Sequence, residues 1–376
     1  MGLVEDAAVP PVPAEWMARQ VIRGDEAEIV TGPMKPVETD AELLRQFGYD
    51  PDEIEIVGTI NQWRKQQPDG SWIVSYYFRS RPRREALDLP ALYAAAREAV
   101  MRHECPAARP PRVTVVALAD AQIGKTGSRG GTAELLERLT VKRGALDREL
   151  LRRGPAWTLI LDVGDLVENF ESGGNPQFTN DLSLAQQLDC AATEVYEFVR
   201  VAAKHGPVVV AAVPSNHGAW RRGKTELGKP GDDFGLFVHQ QVRKVAEAAG
   251  IDARWVFPPK HDEAVTVEAV GTVVGVVHGH RSRPGRLIDW WAKQQHGGQP
   301  VGAADVLVTG HYHHLVVQPT GRNPHTSRTR WWLQCPTLDN GSDWFRNRLG
   351  EDSDPGLLVF DVTEDHGFDL QSLTVL

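Results

Sequence analysis

Val113-Thr114-Val115-Val116-Ala117-Leu118-Ala119 runs straight into Asp120-Ala121-Gln122. An apolar run without polar alternation is the mark of a strand covered on both faces, as in a sheet sandwiched by other layers. Leu159-Ile160-Leu161 and the run from Val208 to Val213 have the same character. Helical patterns separate them. One is predicted over about 132–152. A second places Leu184, Leu188, Ala191, Val195, Phe198 and Ala202 on one helix face, and a third follows at about 234–249. Strands are expected near 264–270, 272–277, 305–309, 314–318 and 330–334, with a short helix near 286–294. Alternating strands and helices of this kind define an α/β class.

The chain has 376 residues, 41% of them hydrophobic, which is ample for a large core and unlike a disordered composition. The apolar runs fall well short of the roughly 20 residues that span a bilayer. The N-terminus shows no basic patch leading into an apolar core, so no signal peptide is expected. Three cysteines without CxxC spacing exclude a disulfide scaffold or a thiolate zinc site. They fit a reducing, cytoplasmic setting. The net charge is −9, so affinity for nucleic acid has to come from local basic patches. Such patches occur at Arg79–Arg84, Arg221–Lys224, Arg281–Arg286 and Arg322–Arg330.

Four segments follow from composition. Residues 1–35, rich in proline and acids, read as an extended or weakly ordered arm. Residues 36–85 read as a small α+β accessory module. In it Thr39 caps a helix with Glu42 three positions on, and strands at Ile54–Val57 and Ser71–Phe78 flank the turn Pro68-Asp69-Gly70. Its aromatics, among them Trp63, Trp72, Tyr76 and Phe78, suit a small core, with base stacking as the alternative. Residues 86–111 read as a helix and a Pro/Arg linker, and 112–376 as the main α/β domain.

The polar residues of the main domain gather at the ends of its strands. Asp120-Ala121-Gln122, Gly164-Asp165-Leu166-Val167-Glu168, Ser215-Asn216-His217-Gly218, His278-Gly279-His280 and Gly310-His311-Tyr312-His313-His314 each follow an apolar run. In open α/β sheets, ligands bind at those ends. Carboxylate, amide oxygen and imidazole together form a mixed N/O donor set suited to Mn, Fe, Zn or Ni. On an extended segment, alternation would point His311 and His313 to the same side.

In this order the motifs resemble the calcineurin-like metallophosphoesterase superfamily, over residues 112 to about 318 and more weakly to about 362. The resemblance implies two facing mixed β-sheets flanked by helices, with a two-metal site at the strand ends. It implies one divalent ion held by Asp120, Gln122, Asp165 and His313. It implies a second held by Asp165, Asn216, His278 and His311, with Asp165 bridging. His278, nearer its strand end, is preferred to His280 as the ligand. His217, oriented by Glu168, would act beside the metals as an acid or charge stabiliser. Gln122 stands where most members have His, which favours a harder ion such as Mn2+, with Fe, Zn, Ni or Mg as alternatives. Glu168 stands for the usual Asp, Ser215 for a common Gly and Gly218 for a common acid.

Two ions sharing a hydroxide would hydrolyse a phosphodiester by direct attack. Lys125, Arg129, Arg221, Arg222, His280, Arg281 and Trp344 lie close after the motifs and are expected to contact substrate. Cations beside exposed Trp faces suit a nucleic-acid phosphodiester, as in the SbcD-like nuclease branch of the family. The acidic overall charge suits a small nucleotide or other phosphorylated molecule instead. A non-catalytic metal-binding protein is the third reading. No membrane partner is expected.

Overall fold

A computed structural model describes residues 16–83, 90–91, 93–95, 111–170, 180–222, 225–343, 346–347, 350 and 353–376. The chain divides into two compact units, Met1–Cys105 and Pro106–Leu376.

The first unit holds β1 (Arg19–Arg23), β2 (Glu26–Val30), α1 (Asp40–Gln46), β3 (Ile54–Gln66) and β4 (Trp72–Pro82), in the sheet order β1-β2-β4-β3. Thr39 Oγ1 caps α1 by accepting from Glu42 N. Its core is Ile29, Leu43, Leu44, Val74, Tyr76 and Phe78. Two of the module's aromatics are therefore packing residues, whereas Trp72 is 49% exposed. Two arginines of its basic patch lie beside carboxylates, Arg81 at 2.8 Å from Glu55 and Arg79 at 4.0 Å from Glu26. The arm expected over 1–35 needs correction. From Arg19 on it is a hairpin, turned at Gly24 (φ 65°) and joined to β4 through β2. The prolines that suggested an arm lie at or before residue 13 and from 33 onward, and residues 19–30 contain none. Most of the helix and linker expected at 86–111 lies outside the described residues.

The second unit is built on two sheets. One has the order β10-β7-β6-β5-β16-β17, from β5 (Arg112–Leu118), β6 (Trp157–Asp162), β7 (Val208–Ala212), β10 (Ala253–Val256), β16 (Leu358–Thr363) and β17 (Gly367–Val375). β5, β6, β7 and β10 run parallel, and β16 and β17 are antiparallel additions. The other sheet has the order β11-β12-β13-β15-β14, from β11 (Ala264–Ala269), β12 (Thr272–Val277), β13 (Val306–Thr309), β14 (Val316–Arg322) and β15 (Thr329–Gln334). A two-residue hairpin, β8 (Arg221–Arg222) and β9 (Thr225–Glu226), stands apart from both.

Alternation along each strand assigns its side chains to two cores. Val113, Val115, Ala117, Leu159, Leu161, Val209 and Ala211 face the second sheet, meeting Val274, Val276, Val306, Val308 and Leu333. Val116, Leu118, Ile160, Val208 and Val210 point the other way. They are covered by α2 (Thr132–Arg153), α3 (Leu184–Ala203) and α4 (Phe234–Ala248). On the outer face of the second sheet, α5 (Leu287–His296) packs Leu287 and Trp291 against Leu307 and Trp332. The unit is therefore a sandwich of two mixed sheets flanked by helices. Each buried aliphatic side chain in it contributes roughly 1.5–3 kcal/mol. The parallel strands β5, β6, β7, β12 and β13 all hand the chain to loops at their C-terminal ends, and the polar motifs sit in those loops.

Candidate metal centre

The loops are tied to one another by their backbones. Asp120 N donates to Gly164 O at 3.1 Å, Gln122 N to Asp165 O at 2.9 Å, and His217 N to Asp165 Oδ1 at 2.9 Å. Gly310 N donates to His278 O at 3.0 Å, and His311 N reaches both Asp120 carboxylate oxygens at 3.0 and 3.2 Å. All five motifs are thus joined directly to a neighbour by hydrogen bonds, the one at Asn216-His217 through the Asp165 carboxylate.

Non-glycine residues rarely take positive φ, which costs about 1–3 kcal/mol where the surroundings impose it. Asp120 (φ 50°), Gln122 (43°), Asp165 (51°), His311 (72°) and His313 (62°) all do so here. This corrects the extended reading of Gly310–His313. Both histidines are left-handed residues in a loop, and they separate: His311 lies beside His278 and Asp165, while His313 Nε2 lies 3.5 Å from Asp120 Oδ1.

Asp165, His278 and His311 have ligand atoms all within 4.8 Å of one another. His278 is fully buried, and its Nδ1 lies 2.9 Å from Val163 O. A carbonyl can only accept, so Nδ1 carries the hydrogen and Nε2 is directed inward. Nε2 lies 3.1 Å from Asp165 Oδ2 and 2.9 Å from Asn216 Oδ1. A bare imidazole nitrogen facing two oxygens in a buried site is unstable. Either a proton or a metal cation has to lie between them. The donor set of one carboxylate, one amide oxygen and two imidazoles fits a divalent cation of the Mn–Zn series, and the Val163 carbonyl fixes the ring as supporting groups do for metal-bound histidine.

Charge distribution agrees with that geometry. Burial disfavours the Asp165 carboxylate, but the imidazoles of His217 and His278 outweigh it and hold the group well below the usual range. Burial opposes protonation of His278, yet Asp165 pushes it up to about 9. For His311, burial and the neighbouring His278 press the ring down to about 3, leaving a neutral donor. His280 is lowered to about 2 by burial, His278 and Arg281. Its ring centre lies 5.4 Å from that of His278.

His217 stands beside this group. Its Nδ1 is 3.1 Å from Glu168 Oε2, and its Nε2 is 3.8 Å from Asp165 Oδ2. Burial opposes its charge, but Asp165 and then Glu168 raise it to about 9. Asn169 (φ 62°) braces it by donating to His217 O at 3.0 Å.

Gln122 and Lys125 are arranged differently from the sequence expectation. Lys125 Nζ is 2.5 Å from Gln122 Oε1 and 2.5 Å from Asp339 Oδ2, and its side chain is only 17% exposed. It lies in a small pocket lined also by Gly127, Gly130, Asn340 and Gly341, rather than exposed on the rim. Burial opposes its charge, but Asp339, Glu168 and Asp120 keep it above the ordinary lysine value. Asp339 follows β15, whose C-terminal end points the same way as that of its parallel neighbour β13. The strand-end rule that located the other residues therefore also covered Asp339.

The remaining expected contacts are scattered. Arg221 Nη1 donates to Asn216 O at 2.9 Å and so supports the motif itself. Arg281 is bound to Glu263 and Glu226, with closest approaches of 2.6 and 2.8 Å, which offsets its charge in place. Arg222 and Arg129 are exposed. Trp344 lies outside the described residues. A shallow, open cleft beside Ser215 is lined by Trp220, Lys229, His280, Arg281, Glu226 and Glu263. Sequence reasoning also missed Asp233. It caps α4 by accepting from Leu236 N and holds Ser215 N at 2.9 Å, and burial pushes it up to about 7.

No family model matches the chain, and no curated protein matches it. Among solved structures, one described as "Structure of PhoD" is similar at 11% identity, over 90% of this chain and 82% of that chain, with a TM-score of 0.30. A likeness of that size carries no argument, and the class is defined by the chain's own geometry: an α/β sandwich with a polar, strained strand-end site fitted to a divalent cation. No helix among the described residues is long and apolar enough to cross a membrane.

Proposed function

We propose that the chain is a divalent-metal-dependent phosphoester hydrolase. The observation that carries this reading is the meeting of buried Asp165 and His278 with half-buried Asn216 and His311, with the His217 imidazole alongside. Bound at these residues, a divalent cation would polarise a phosphoryl oxygen and lower the pKa of the attacking water. Asp165 and His278 hold the cation's place. Asp165 Oδ1 also accepts from His217 N, so the metal ligand and the acid keep a fixed spacing. His217 presents its Nε2 proton toward the crevice, where it stabilises charge on the phosphoryl group or protonates the leaving oxygen. Glu168 Oε2, 3.1 Å from Nδ1, orients the ring.

A phosphodiester is the expected substrate, and nucleic acid and a compact nucleotide-like molecule are its two forms. The compact form is favoured by Arg281, whose charge is spent on Glu226 and Glu263 in the wall of the cleft. Turnover of bis-p-nitrophenyl phosphate with Mn2+ tests the reaction, and labelled DNA strands against small nucleotide diesters test the substrate. Asp165→Asn is expected to strip metal and abolish turnover. His217→Ala is expected to keep metal and lose about 10²–10⁴-fold in rate. Full activity in both variants would refute the mechanism.

A further inference from the structure

Two positions for cations are offered by the strand-end loops, and they are not alike. At the first, ligand atoms of Asp165, His278 and His311 already converge. Among the described residues no second group of three acidic, cysteine or histidine side chains does so. Around the other position stand Asp120, Gln122 and His313, and there an ammonium group is built in. Lys125 Nζ bonds Gln122 Oε1 and Asp339 Oδ2.

That placement is fixed from several directions. Lys125 N donates to Gln122 O at 3.0 Å, which closes the turn between the two residues and brings the lysine back over the amide. Asp339 is 2% exposed, and its other oxygen accepts from Gly341 N at 2.6 Å. Asp339 N donates to Thr337 Oγ1, and Thr337 Oγ1 donates to Asp120 O at 2.8 Å. The carboxylate that holds the lysine in place is thereby anchored to the backbone of the residue that opens the site. Gln122 fits the same scheme. A neutral amide oxygen is a weak metal ligand but a good acceptor for an ammonium, whereas an imidazole nitrogen at that position would compete for a metal.

We propose that the protein is a one-metal enzyme in which the Lys125 ammonium, held by Gln122 and Asp339, supplies the second positive charge. The proposal rests on the hydrolase reading and deepens it. A compact point charge on a flexible stem can meet a phosphoryl oxygen without ligand geometry, and it needs no ion to be recruited. Asp165 then serves one metal and His217 rather than bridging two ions. His313 Nε2 stays 3.5 Å from Asp120 Oδ1.

Metal content measures this directly. Purified protein, stripped with chelator and dialysed against excess Mn2+, is expected to retain about one ion per chain, with the spectrum of an isolated Mn2+ and no exchange coupling. The double variant Gln122→His with Lys125→Ala is expected to retain about two, with a coupled signal. Lys125→Ala alone is expected to keep one tightly bound ion and lose at least 100-fold in turnover. Two tightly held ions in the unmodified protein would overturn the proposal while leaving the hydrolase reading intact. No tightly held ion would overturn both. If the double variant fails to fold, the count and spectrum of the unmodified protein still decide the matter.

Discussion

Gly164 carries the heaviest local constraint at the site, and replacing it tests the whole arrangement. It sits between the Val163 carbonyl that fixes His278 and the Asp165 carboxylate. Its φ is 100°, outside the range L-residues prefer. A methyl group there would lie 2.7 Å from Ser215 Cβ and 2.8 Å from His278 Nδ1. The backbone conformation costs about 1–2 kcal/mol, and forcing the overlap apart costs a further ~1–3 kcal/mol. At about 2–4 °C per kcal/mol for a unit of this size, Gly164→Ala is expected to melt about 10 °C lower. Gly154, at φ 60° with nothing within 4 Å of an added methyl, isolates the conformational part. Gly154→Ala is expected to lose only about 4 °C by the same conversion. Differential scanning calorimetry with and without Mn2+, alongside metal titration, separates the two. Gly164→Ala is also expected to weaken Mn2+ binding at least tenfold, because the displaced ring is one of the proposed ligands, while Gly154→Ala leaves it unchanged. Equal melting of the two variants with equal metal affinity would refute the packing described around His278.

Metal binding should depend on pH in a defined sense. His278 without metal is held protonated up to about 9, so a metal must displace that proton. The apparent Kd for Mn2+ is expected to fall about tenfold per pH unit from 6 towards 9 and then level off, and isothermal titration in buffers of different ionisation heat should count the proton released. Arg153 is buried and pairs with Asp361 at 3.0 Å and Glu149 at 2.7 Å. Arg153→Met is expected to cost about 1–3 kcal/mol, read as a lowered midpoint in urea, since Asp361 keeps Arg112 at 3.3 Å and the Thr114 hydroxyl at 2.7 Å. The Cys190 thiol is raised to about 11 by burial and the carboxylates of Glu194 and Asp189. Its alkylation at pH 8, followed on its own peptide by mass spectrometry, is expected to be about 100-fold slower than that of an ordinary thiol and to rise tenfold per pH unit.

The parallel core was legible because burial on both faces leaves an unbroken apolar run, as at Val113–Ala119 and Val208–Val213. The antiparallel additions were not. β16 pairs with β5 across a long sequence separation, and nothing in Leu358–Thr363 names its partner. The hairpin at 19–30 was hidden by averaging over a proline-rich neighbourhood. At the site, residue types at strand ends were readable, whereas backbone handedness was not. Gly310-His311-Tyr312-His313 reads as alternation, yet both histidines are left-handed, with the His311 amide held by the Asp120 carboxylate and the His313 carbonyl held by Thr337 N and Ser353 Oγ. The Lys125–Asp339 pair joins residues more than 200 positions apart, and a sequence shows no such pairing.

The position of β16 has a consequence for biosynthesis. β5 is flanked by β6 on one side and by β16 on the other, so one edge of the central strand stays open until residues 358–363 emerge. Roughly 240 residues separate them, and at about 5–20 residues per second the wait on the ribosome is ~10–50 s. Throughout that interval the nascent chain carries a long apolar edge with unpaired amides, a template for joining a neighbouring polypeptide. Yield in a cell should therefore depend on the pace of translation and on chaperone supply more than on the stability of the finished protein.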